Sequence, residues 1–176
     1  GEKRYVLAPE NLKVGNKIQT FSAKGSMEIG NRMKLRYIPQ GTLVHNVELN
    51  PGQGGKIVRS AGSTAQVLAT EGKYTQLKMP SGEVRMILAE GYASVGQVSH
   101  PEKRFEKVGK AGRRRLMGWR PTVRGKAMTP IDHPHGGGKG KSPIGLIHPK
   151  TPTGKPALGV KTRKKRWTDK YIIKRR

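Results

Sequence analysis

The chain has 176 residues, with 36 Lys and Arg against 11 Asp and Glu, a formal net charge of +25 and no Cys. Such figures allow one or two small domains, exclude disulfides and thiolate metal sites, and call for a polyanionic partner. No apolar run approaches the roughly 18 residues a spanning helix needs, and no amphipathic stretch with an aromatic face accompanies the charge, so nucleic acid is favoured over an anionic membrane.

From the N-terminus, short β-prone runs recur between turn signals. Tyr5 to Ala8 stops at Pro9, Lys17 to Thr20 follows Gly15-Asn16, and Met33 to Ile38 stops at Pro39. Then come Thr42 to Leu49, Gln66 to Thr70, Tyr74 to Met79 and Glu83 to Leu88. This spacing, without a sustained helical period, predicts a small antiparallel barrel. The clearest unit is a hairpin around Pro80-Ser81-Gly82, with Thr75, Leu77 and Met79 on its buried face and Val84, Met86 and Leu88 continuing that face on the return strand. His45, inside TLVHNVEL, reads as a strand residue, not a ligand.

The connection from Asn50 to Lys56, followed by Arg59, is rich in glycine. Two interpretations are equally open. Its backbone could approach phosphate with Lys56 and Arg59 supplying charge, or it could be a long hairpin connection.

Charge is divided unequally along the chain. Residues 107–176 hold 21 Lys and Arg against Asp132 and Asp169, leaving a net +6 for residues 1–106. A segment this basic and this rich in Gly and Pro cannot build its own core, so it is expected to order on what it binds. Arg113, Arg114 and Arg115 precede Trp119 and Arg120, which sets guanidinium forks beside an indole and suits phosphate contact with base stacking. Arg124 and Lys126 follow, and then Asp132 to Lys141. In that stretch Pro134 stiffens the chain, Gly136, Gly137 and Gly138 permit close backbone approach, and His133 and His135 offer imidazoles, with Lys139 and Lys141 adding charge. Lys161, Arg163, Lys164, Lys165 and Arg166 form a final basic run suited to phosphate.

Competing chemistries fit poorly. Gly140-Lys141-Ser142 is half of a Walker loop, but His135 occupies the position of its first glycine and Pro143 follows at once. Asp132, His133 and His135 lack the further ligands of a structural metal site, and no nucleophile is paired with an oriented base. No catalytic residue, metal site or cofactor is expected.

The motif GRRRLMGWRPTVRGKAMTPIDHPHGGGKGKS, residues 112–142, resembles the signature of the second protein of the large ribosomal subunit in its bacterial and organellar form. The resemblance extends upstream through YVLAPENLKVGNKIQ, residues 5–19, and IPQGTLVHNVELNPGQGGKIVRSAGSTAQVLA, residues 38–69, and downstream to KTRKKRWTDKYIIKRR. It implies an all-β fold: closing strands of an oligonucleotide-binding barrel in residues 1–30, an SH3-like barrel in 31–106, and a basic, irregular extension threading ribosomal RNA in 107–176. A missing segment or a separate chain would complete the first barrel. The implied function is structural, in binding large-subunit RNA, supporting the architecture near the peptidyl-transferase centre and helping subunits associate, among neighbouring ribosomal proteins. His133 matches the family's histidine near that centre and is expected to position RNA. Lys139, where bacterial members usually carry Glu, and the divergent residues 142–159 favour a mitochondrial ribosome in the matrix over a chloroplast or bacterial one. Composition alone would also allow a general nucleic-acid chaperone or compaction protein.

Overall fold

The computed structural model describes residues 1–139, 141–161, 163–164 and 166–175. Two compact units emerge, one from Gly1–Glu106 with the C-terminal segment beyond Lys164, the other from Lys107–Lys164.

Among the described residues of the first unit, eight strands form one sheet. In chain order they are β1 Thr20–Phe21, β2 Arg32–Lys34, β3 Leu43–His45, β4 Ala65–Glu71, β5 Tyr74–Lys78, β6 Val84–Leu88, β7 Tyr92–Val95 and β8 Ile172–Lys174. Their spatial order is β1-β2-β7-β3-β4-β5-β6-β8. In a flat sheet β2 and β6 would stand about 24 Å apart at the usual strand spacing. Here Met33 of β2 and Ile87 of β6 share one buried cluster with Val44, Val67, Leu77 and Val95, and the Arg36 N–H donates to the Ala89 carbonyl just past β6 at 3.0 Å. The sheet therefore coils on itself into a small barrel around a single core.

Met33 to Ile38, expected as one strand, divides into β2 and a 3₁₀ turn over Leu35–Tyr37. Alternation cannot put Leu35 and Ile38 on one face, because their separation is odd. The turn, closed by Ile38 N–H to the Leu35 carbonyl at 3.1 Å, buries both. β7 is absent from the expected elements although it sits centrally, pairing Ala93 with Met33 and Val95 with Val44. Its small residues, Ala93 and Ser94, carry little β-propensity. They are required by the close packing, with Ala93 fully buried.

The hairpin forms around the expected turn, but its return strand presents the other face. Register pairs Leu77 with Arg85 and Thr75 with Ile87, and directly paired residues share a face. Ile87 is therefore the inward residue of β6, and Val84, Met86 and Leu88 point the opposite way. Apolar residues tolerate that side because Trp167 and Tyr171 join Met86 and Leu88 around a groove of about 190 Å³, with the Tyr171 ring 6.1 Å from that of Tyr74. The basic tail thus ends in a 3₁₀ turn over Arg166–Tyr171 and in β8, which pairs antiparallel with β6.

Residues 1–19 form no strand. They attach through a bridge between Pro9 and Val98 and through Glu10 N–H to the Gln97 carbonyl at 2.8 Å, and β1 pairs in parallel with β2 over two residues. Tyr5 and Val14 are fully exposed.

Candidate nucleic-acid interface

The second unit, Lys107–Lys164, carries fifteen Lys and Arg against Asp132 alone. Its one α-helix among the described residues, α1 Ala111–Leu116, has no side-chain N-cap and concentrates Arg113, Arg114 and Arg115 in its last turn, where cations complement the helix carbonyls. Gly118, at φ +88, reverses the chain, and Trp119 N–H then bonds to the Arg114 carbonyl at 3.2 Å. That reversal sets the indole under the Arg114 guanidinium, 5.3 Å from carbon to ring centroid. Lys110, Arg114, Arg115, Trp119 and Arg120 together line a cleft of about 530 Å³. Its residues can answer phosphate with charge and offer a base the Trp119 face, which remains 60% exposed. Arg113 and Arg124 are exposed outside the cleft lining, and Lys126 is half-buried. Lys110 was missing from the expected contacts, although it lies only three residues before the arginine run.

The histidine and glycine segment closes into a compact loop. Thr129 anchors it: its carbonyl accepts the N–H groups of Asp132 at 3.1 Å and His133 at 3.2 Å, and its hydroxyl donates to the Asp132 carboxylate at 2.8 Å. Gly136 N–H donates to the His133 carbonyl at 2.8 Å, and Gly137 N–H to the Met128 carbonyl at 3.0 Å. A methyl at Gly136 would lie 2.1 Å from the Thr129 carbonyl oxygen, and Gly137 has φ +97. These two glycines serve approach of the chain to itself.

His133 is buried, 7% exposed. A methyl on Gly125 would fall 2.5 Å from its ring, so the imidazole rests directly on that glycine. Its Nδ1 accepts the His135 N–H at 3.0 Å, and the two rings lie 4.7 Å apart at 54°. The Nε2 of His135 in turn accepts the Lys150 N–H at 2.8 Å. Partial burial, then the nearby His133 and Lys126, hold the His135 pKa below its ordinary value. Lys139 and Lys141 are exposed beyond the loop.

In the barrel unit, the glycine-rich connection is a hairpin extension: Val47 bridges Ile57, and a methyl on Gly55 would collide with the Asn46 side chain at 1.9 Å. Both Lys56 and Arg59 are exposed. Arg59 lines a cleft of about 560 Å³ with Arg4 and Arg32, whereas Lys56 does not. Arg32 is already answered by Glu48 at 2.9 Å. In the tail, Lys161, Arg163 and Lys164 are exposed; Lys165 and the Arg166 side chain lie outside the described residues. Residues 28–154, well over half of the chain, match the family described as Ribosomal Proteins L2, C-terminal domain.

Proposed function

The chain belongs to the ribosomal protein L2 family, whose members are structural components of the large ribosomal subunit in translation, and from that premise we propose that it binds large-subunit ribosomal RNA mainly through residues 107–164. The observation that carries this proposal is the cleft beneath α1, where Arg114, Arg115 and Arg120 surround a partly exposed Trp119. With fifteen cations against one acid, the unit would repel itself without a polyanion. Arg113, Arg124, Lys139, Lys141, Lys161, Arg163 and Lys164 extend the phosphate-binding surface, and Lys56 and Arg59 supply a further contact from the barrel.

Its place in the particle is near the peptidyl-transferase centre, where the chain supports large-subunit architecture and subunit association among neighbouring ribosomal proteins. Chemistry there belongs to RNA. The ribosome is mitochondrial, a proposal supported by Lys139 and by the sequence of residues 142–159.

Sedimentation of the tagged chain through a high-salt sucrose gradient, with sequencing of the RNA it follows, tests all of this at once. Co-migration with a large subunit and mitochondrial ribosomal RNA is the expected outcome. Release to the top of the gradient with mixed RNA or DNA would favour a general nucleic-acid binder. Ultraviolet cross-linking of the retained particle is expected to join Trp119 to RNA.

A further inference from the structure

The histidine loop holds two imidazoles whose hydrogen bonds fix opposite tautomers. A backbone N–H can only donate, so the His135 amide at 3.0 Å requires a lone pair on Nδ1 of His133 and leaves that ring's proton on Nε2. The Lys150 amide at 2.8 Å requires a lone pair on Nε2 of His135 and leaves its proton on Nδ1. An imidazolium has no acceptor and could satisfy neither bond, and the direction of the His135 pKa agrees with a neutral ring.

The two rings connect three stretches of chain. Gly125 packs on the face of His133, residues 129–138 carry both imidazoles, and Lys150 belongs to a turn closed by its bridge to Pro156. We infer that His133 and His135 are positioning residues: a latch of two neutral imidazoles in opposite tautomers that fixes the glycine loop against the Lys150 turn, with His133 acting through the backbone and not through a direct contact with RNA. This inference deepens the proposed function, because the surface so positioned is the one assigned to ribosomal RNA.

Isosteric amides read the tautomers. The Oδ1 of Asn occupies the position of Nδ1, and the Oε1 of Gln reaches that of Nε2. His133→Asn should therefore preserve the latch where His133→Gln breaks it, while at the next histidine His135→Gln should preserve it and His135→Asn break it. In the free chain, long-range nitrogen–proton spectra are expected to show His133 protonated at Nε2 and His135 at Nδ1, with the His135 and Lys150 amides protected from hydrogen exchange. The mismatched variants should lose at least about fivefold of the protection at the affected amide, the low end of the cost of leaving a desolvated donor unpaired, as fits these part-buried amides. In competition with wild type for incorporation into large subunits, the matched variants should stay within about twofold and the mismatched ones fall at least about fivefold.

Reversed or mixed tautomers in the free chain would overturn the latch, as would the same amide preference at both positions. Normal incorporation of all four variants would overturn its positioning role. If the wild-type chain itself fails to enter a large subunit, the proposed function fails instead, and spectra and exchange still decide the latch.

Discussion

Three histidines in this chain differ in which ring nitrogen works and in which direction. His133 and His135 accept from backbone amides, whereas His45, almost wholly buried in β3, donates from Nδ1 to the Gly96 carbonyl at 3.0 Å. Burial lowers the His45 pKa; the bond to Gly96 opposes that shift and the nearby Arg32 adds to it. A histidine whose folded pKa lies below the unfolded one binds fewer protons folded than unfolded in the window between them, so stability rises with pH there. The contribution is complete above the unfolded value of about 6.5 and declines as pH falls below it. Urea midpoints are expected to drop as pH is lowered from about 7 to about 5, with a shallower slope in His45→Asn. An unchanged slope in that variant would assign the dependence elsewhere. Gly125→Ala tests a second contact, since its methyl would meet the His133 ring at 2.5 Å. It should disorder the histidine loop and reduce incorporation into large subunits, while the barrel melts as in wild type.

At the scale of elements, β6 shows why one alternating pattern can mislead. Val84, Met86 and Leu88 alternate as a buried face should, yet pairing with β5 turns Ile87 inward. Both sides of this strand are covered, one by the barrel core and one by Trp167 and Tyr171. Leu77→Ala, inside the core, should cost about 2–5 kcal/mol. Tyr171→Ala removes a ring beside Tyr74 and uncovers the Met86 side, for about 1–3 kcal/mol in the same urea titration. No loss of stability in Tyr171→Ala would make the C-terminal turn and β8 an accessory to the barrel.

At the scale of the molecule, net charge is concentrated where apolar burial is poorest. Among the described residues, the fourteen buried hydrophobic side chains all lie in residues 33–98, and residues 107–164 have fifteen cations around one acid. Affinity for RNA should therefore fall steeply with salt as condensed counterions are released. Arg114→Ala should reduce the slope of log affinity against log salt by about one unit if its guanidinium meets a phosphate. A slope unchanged by that substitution would restrict Arg114 to orienting Trp119.

The strands β4, β5 and β6 and the turn at Pro80-Ser81-Gly82 were legible because their signals are local: β-branched runs, a turn tripeptide and short spacing. The concentration of charge in residues 107–176 was legible because charge is additive along a chain and needs no fold to be counted; that residues 166–175 return to the barrel unit was not. By itself, then, the sequence determined the all-β class, the family and the excess of charge that calls for a polyanion. Tertiary structure decided what depends on partners distant along the chain. β7 exists because Met33 and Val44 pair with it on either side, and β8 because β6 leaves it an open edge. His133 is buried because Gly125 leaves room for its ring and because Lys150, through His135, closes the loop. Residue type and spacing supply the donors and acceptors, but only folding brings each to one partner, and for an imidazole that partner selects the nitrogen that holds the proton.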